Sequence, residues 1–459
     1  MSHKQNSMAV HSENRDGGSA SVRVLNNRSE DLDTISSLPD VILQQILSLI
    51  PTKYAIRTSI LSKRWRHVWS ETPSLCFDDC YKVDADSIDK TLAHYMSRKI
   101  MNFQLCTTYG VNLPYNEWIK FAMSRNVENL FLDFGYLKYE FPDSLYINSS
   151  VKQLSIETKY SELIPRCSVS WKSLKKLSLR CCKFSDESNA NIISGCPILE
   201  SLKLEFCDEL RVLDLTKSPS LKILEIVRTT CVAGTTHIMS PHIHCLTLKN
   251  SQLSSAFVDV SSLNEAKLDI RFCALDNLNA DFLQDMVLKI LDKLQNVDKL
   301  TFGENFLKIL SLSEVRGVPF PMFKAKALTL ETMISQYVTP GILRLLQNSP
   351  ELKKLTLHTM DCEADTIPDK DVRKYLRGLN LDHRWIFGNI FHWNVESKHV
   401  ASFMELMLKR TKTLEKMVVR LESYLDGRGF EELLEMVPML SRNNNVSIVL
   451  SSTNPRHSV

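Results

Sequence analysis

From about residue 125 the chain keeps returning to one short phrase of apolar and polar positions, LxxLxL. VENLFL, VKQLSI, LKKLSL, LESLKL, LKILEI and IHCLTL carry it most regularly, and VDKLTF, KALTL and LKKLTL carry it further on. Taking the middle apolar residue as marker, Leu130, Leu154, Leu177, Leu202, Leu224 and Leu246 stand 24, 23, 25, 22 and 22 residues apart. A fixed period of this length is the signature of stacked repeats. Residues two apart share one face of a strand, so each LxL predicts a short strand with both leucines in a core and the intervening segment returning the chain on the far side. FSDESNANIISGCPILESLKL shows one return in full: Ser185 is placed to cap a helix, Asp186 and Glu187 fill its first turn, Ile192 and Ile193 face inward, Gly195 ends it and Pro197 prevents its resumption. LRVLDL falls 11 residues after LESLKL and 11 before LKILEI, which predicts a short strand on the far side. GILRLLQNSPELKKLTL and DFLQDMVLKILDKLQNVDKLTF repeat the helix-then-strand logic, although beyond Ala266 the marker spacing widens to 34, 28 and 27 residues.

Ahead of the repeats, LPDVILQQILSLIPTKYAIRTSILSKRWRHVW reads as three short helices. Pro39 and Asp40 suit a helix start, Ile42, Leu43, Ile46, Leu47 and Ile50 recur at helical spacing, and Pro51 stops the pattern. Thr52 is placed to cap a second helix carrying Ala55, Ile56, Ser59 and Ile60. Ser62 is placed to cap a third, which puts Trp65 and Trp69 on one face. So small a bundle cannot hide that much apolar surface by itself. The surplus packs either on the following repeats or against a partner protein.

The stretch DLDTISSLPDVILQQILSLIPTKYAIRTSILSKRWRHVWSETPSLCFDD resembles the F-box of plant F-box/leucine-rich-repeat proteins, with the LPD opening, the PTK turn, the TSILSKRWR run and the second Trp in order. The resemblance implies a helical hook that inserts into the Skp-family adaptor of an SCF-type ubiquitin ligase, and through it meets a cullin and RING assembly. Leu38 and Pro39 would begin the hook, with Ile42, Leu43, Ile46 and Leu47 along its first helix. Ile60, Leu61, Trp65 and Trp69 would complete an apolar set that either faces the adaptor or braces the hook. Near the C-terminus, LKRTKTLEKMVV resembles the FBD domain that follows the repeats in many plant F-box proteins. It runs from the end of a helix carrying Phe403, Met404, Met407 and Leu408 into a strand at Met417 to Val419, after which GFEELLEMVPMLSRNNNVSIVL repeats helix, turn and strand.

The fold expected is therefore mixed α/β: a disordered tail over 1–30, a three-helix F-box over 31–79, a linker or solenoid cap over 80–124, and a leucine-rich-repeat solenoid over 125–365. A linker over 366–388, an FBD-like α/β block over 389–451 and a tail over 452–459 complete it. The strand face of the solenoid would present Lys176, Arg180, Lys203, Glu205, Glu225, Lys249, Lys267 and Asp269 to a target. Their mixed signs suit a protein better than a phosphate backbone, which needs one sign along its length.

Composition narrows the function classes. The 459 residues are 44% hydrophobic and 24% charged, with a formal charge of +3, too small to make a nucleic-acid or membrane surface the main feature. Lys63, Arg64 and Arg66 read as the solvated face of a helix. The N-terminus shows no signal-peptide core and no apolar run approaches the roughly 18 residues of a membrane span. Twelve dispersed cysteines then suggest reduced, buried thiols in the cytoplasm or nucleus rather than a secreted disulfide framework. GxxxxGK, GxGxxG, GxSxG and HExxH are absent. His237, His242, His244 and Cys245 have metal-ligand chemistry, but HIHCLTL reads as the lead-in to a repeat strand and no second ligand pair has matching spacing; Cys76 and Cys80 beside His67 read similarly. No metal, cofactor or catalytic residue is expected. The reading is a non-catalytic substrate receptor of an SCF-type ligase, the alternative an F-box/leucine-rich-repeat scaffold without a degradative role, and an enzyme the least supported.

Overall fold

A computed structural model describes residues 35–453 except 36, 79–83, 108–112, 208, 229–235, 250–254, 271–279, 336, 360–395, 423–424 and 426. The predicted N-terminal tail lies outside the described residues.

The repeat phrases become one 14-stranded sheet, each adjacent pair parallel. Its strands are, in spatial order, Ser74–Phe77, Asn102–Cys106, Asn129–Asp133, Gln153–Glu157, Lys176–Arg180, Ser201–Glu205, Ile223–Val227, Cys245–Lys249, Glu265–Asp269, Lys299–Gly303, Ala327–Glu331, Lys354–Thr359, Lys416–Glu422 and Ser447–Thr453. The marker leucines stack directly: Leu130, Leu154, Leu177, Leu202, Leu224 and Leu246 are consecutive register partners and all are buried. A parallel sheet stacked this way needs a covered inner face, which the returns supply, so one continuous core runs from Leu75 to Val446.

Two strands precede residue 125, where the sequence places the start of the solenoid. Asn102–Cys106 pairs with Ser74–Phe77 on one side and Asn129–Asp133 on the other, so the stretch assigned to a linker or cap carries sheet of its own. Phe103 and Leu105 take the places of the two leucines and Ile100 that of the first apolar position, all three buried, so the phrase is filled there by residues other than leucine at two of its three positions, which hid the unit. At the other end, Lys416–Glu422 and Ser447–Thr453 extend the same sheet. Phe403, Met404, Met407 and Leu408 are buried in its core, and the last strand runs into the stretch assigned to a C-terminal tail.

Local predictions were met unevenly. Ser185 caps Asp186–Ser194, its hydroxyl accepting the Ser188 N–H at 3.2 Å. Gly195 is required for space rather than for an unusual φ, since a Cβ there would meet the Val169 carbonyl oxygen at 2.5 Å. LRVLDL forms Val212–Asp214 in a separate 3-stranded sheet with Thr236–Met239 and Ser255–Asp259. Thr52 does not cap its helix: Pro51 occupies that position, and the buried Thr52 hydroxyl instead accepts the Cys76 N–H at 2.7 Å, tying the helices to the first strand.

Along the rim where the strands begin, charges pair from repeat to repeat. Glu128 takes Lys99 and Lys152, the latter at 2.9 Å, and these hydrogen-bonded ammoniums hold its carboxyl below the ordinary value of about 4.5. A depressed carboxyl pKa contributes stability above its unfolded pKa and loses it as the pH falls through the folded one. Glu128→Gln is therefore expected to lower the urea midpoint near neutrality, with the gap to the parent closing below about pH 4; a gap that stays constant down to low pH would contradict this assignment.

Candidate functional site

The N-terminal helices Asp40–Leu47, Thr52–Arg57 and Trp65–Val68 close on a small core of their own. Leu43, Leu47, Ala55, Trp65, Val68 and Trp69 are buried together, with Leu38 and Ile56 packed against them. This divides the apolar set that the sequence left undivided. Leu43, Leu47, Trp65 and Trp69 brace the module, whereas Pro39, Ile42, Ile46, Ile60 and Leu61 are exposed. Ile60 is 89% and Leu61 63% exposed, so the surplus does not pack on the repeats. Val41, Leu49 and Tyr54 join the exposed set, Leu49 at 83%. Sequence reasoning passed over them because they fall outside the i, i+3, i+4 stripe, although a stripe already filled by Leu43 and Leu47 leaves its neighbours facing water.

The exposed face is held rigid from behind. Arg64, read as a solvated helix face, instead reaches back 24 residues: its guanidinium donates to Asp40 Oδ1 at 2.7 Å and to the Leu38 carbonyl, so the LPD opening is locked to the third helix. Gln44 donates to Glu71 Oε2 at 3.1 Å. The Trp65 N–H reaches Ser62 Oγ at 3.4 Å. Lys63 and Arg66 are exposed as expected. The module thus leaves several large aliphatic side chains in water although its own core is already closed, the kind of surplus apolar surface that marks interaction sites when it is gathered on one face.

On the open face of the sheet the predicted Arg180, Lys203, Glu205, Glu225 and Lys249, joined by Glu157, form a ladder across five strands. Glu157 meets Arg180 at 3.3 Å, Arg180 meets Glu205 at 3.9 Å, Lys203 lies 3.0 Å from Glu205 and 3.8 Å from Glu225, and Glu225 lies 3.6 Å from Lys249. Burial and the neighbouring Asp133 push the Glu157 carboxyl above its ordinary range. Lys267 reaches over the intervening strand to Glu331, and Gly303 passes so close to Asp269 that a Cβ would overlap its carboxylate. Lys176 is exposed, with no ion pair among the described residues. Partly exposed pairs of this kind add about 0–1 kcal/mol each; their larger effect is to leave this part of the face with neither sign in excess. Exposed tyrosines stand at its upper rim, with Lys159 Nζ 4.1 Å from the centre of the Tyr136 ring and Tyr160 beside it.

The histidines do not converge. His237 lies in the small far-side sheet, while His244 leads into the strand that begins with Cys245, whose register partners are Ile223 and Glu265. Among the described residues no three His, Cys, Asp or Glu side chains are gathered as a metal site. Cys80 is outside the described residues. The eight described cysteines are free, and burial pushes the Cys196 thiol up to about 12 and Cys76 up to about 11, which keeps both protonated and unreactive. Among the described residues no helix is long and apolar enough to cross a membrane.

Comparison with known proteins agrees with this geometry. The family model for the F-box domain matches residues 35–77, and the family model described as At1g61320/AtMIF1, LRR domain, matches residues 93–380. Among relatives from Arabidopsis thaliana, the chain is 72% identical over 361 residues to the F-box protein At1g49610, covering 78% of this chain and 93% of that one. It is 54% identical over 446 residues to the F-box/LRR-repeat protein At3g03360, covering 93% and 92%. It is 51% identical over 439 residues to the F-box/LRR-repeat protein At5g02910, covering 92% and 95%.

Proposed function

The chain belongs to the plant F-box/LRR-repeat family, and from that membership we propose that it is a substrate-recognition subunit of an SCF-type ubiquitin ligase. Its exposed helical face docks on a Skp-family adaptor, which joins it to a cullin and RING assembly. The repeat sheet holds a target protein. The observation that carries this reading is the separation of two apolar sets in one small module, one spent on an internal core and the other, Ile42, Ile46, Leu49, Ile60 and Leu61, turned to solvent. A purely intramolecular role would bury both.

The chain's contribution to ubiquitin transfer is then positional. A receptor that anchors at one end and holds its target along a 14-stranded sheet raises the effective concentration of target lysines near the conjugating enzyme. No side chain of this chain touches a reacting atom in that scheme. Localisation follows from where the adaptor resides, in cytoplasm or nucleus.

The test is co-purification of the full chain with a Skp-family adaptor and cullin, followed by comparison of captured proteins with and without cullin activity. Capture of both subunits and a cullin-dependent fall in a bound protein's abundance is the expected result. Adaptor capture with no such fall would favour a non-degradative scaffold, and failure to capture the adaptor would overturn the reading.

A further inference from the structure

The balance of charge on the open face changes at its C-terminal end. In the strand pair Lys354–Thr359 and Lys416–Glu422, Lys354 is the register partner of Lys416 and His358 that of Arg420. Lys354, Lys416 and Arg420 are exposed, and none forms an ion pair among the described residues. One residue upstream, in the same pair of strands, Lys353 and Glu415 are joined at 3.0 Å. Opposite charges on neighbouring strands are thus used where this pair meets the rim, while its open face sets Lys354 beside Lys416. Neighbouring strands lie about 4.8 Å apart, and like charges placed directly opposite one another are destabilising. The ladder from Glu157 to Lys249 shows the arrangement that stability alone favours.

Between the Lys354–Lys416 pair and Arg420 lies an apolar step. Val418 is the register partner of Val449, which is 40% exposed. Lys416, Val418 and Arg420 occupy alternate positions of one strand and therefore point to the same face, with the outer two about 13 Å apart at 3.3 Å per residue.

We propose that this end of the open face is the docking site for an acidic, extended segment of the target, with the pattern acid–x–apolar–x–acid. An extended peptide has the same period of two, so its two carboxylates and the apolar side chain between them fall on one face and match the rows at 416, 418 and 420 in a single register. This inference rests on the receptor reading above and names the class of target segment that the repeat sheet takes.

The test uses the full chain bound to its adaptor and a fluorescent heptapeptide, Gly-Asp-Thr-Val-Thr-Asp-Gly, followed by anisotropy. Controls are the same peptide with Lys for Asp, and an isomer with one Asp moved by a single position so that the acids point to opposite faces. Binding of the Asp peptide, weaker binding of the isomer, and a loss of roughly tenfold or more in Lys354→Glu/Lys416→Glu are expected, as is weakening by salt. The charge-reversed double variant should in turn prefer the Lys peptide, which shows that the site is folded. Equal binding of Asp and Lys peptides, no binding of either, or indifference to the double substitution would overturn the inference. Adaptor capture is scored in the same samples: its retention without peptide binding removes only this inference, whereas its loss removes the receptor reading.

Discussion

Ile60→Asp combined with Leu61→Asp is expected to abolish adaptor capture while leaving the fold intact. Both side chains are largely in water already, so replacing them removes little packing, and surface substitutions of this kind usually change stability by no more than about 0.5 kcal/mol. In the docked state the same positions would be desolvated. Each apolar side chain contributes about 1.5–3 kcal/mol on burial, and an unpaired carboxylate there adds a desolvation penalty. Together these predict a fall in affinity of well over about a hundredfold. Isothermal titration with the adaptor, alongside circular dichroism and thermal melting of the variant, measures both halves. Unchanged adaptor affinity with a normal melt would show that this face is not where the adaptor docks.

Trp65→Ala acts by the opposite route. Trp65 is buried in a core of six residues, and truncating a buried aromatic side chain costs about 3–5 kcal/mol. A module this small has little stability to lose, so its helices should unfold while the 14-stranded sheet, which has its own core, persists. The expected observations are protease cleavage within residues 38–69, loss of adaptor capture, and hydrogen exchange in the repeats like that of the parent. Adaptor binding at parental affinity by a protease-resistant variant would contradict a bracing role. The pair of experiments tests the division itself, because only the first variant should lose binding while folded.

Much of this was legible beforehand. The repeat period and the inward leucines follow from strand geometry, which forces residues two apart onto one face, so the markers from Leu130 to Leu246 fell into register as spaced. The helix signals around Ser185 and Pro51 are equally local. What escaped were units in which other apolar residues replace leucine, such as Asn102–Cys106, where Ile100, Phe103 and Leu105 fill the three apolar positions of the phrase. A large aromatic serves the core as well as leucine does, and a motif search does not see the equivalence.

Sequence by itself determined that the chain has a helical module with more apolar surface than it can bury, followed by stacked strands with a mixed-charge face. Tertiary structure alone decided which side chains are spent and which are offered. Leu43 and Ile42 are adjacent, chemically alike and on one helix, and only the third helix, brought back by Arg64 onto Asp40 and Leu38, covers the first and leaves the second in water. The same holds on the sheet: Lys203 and Lys416 look alike in the chain, but register sets one against Glu225 and the other against Lys354. Burial and charge pairing depend on residues tens of positions away, and local periodicity carries no record of them.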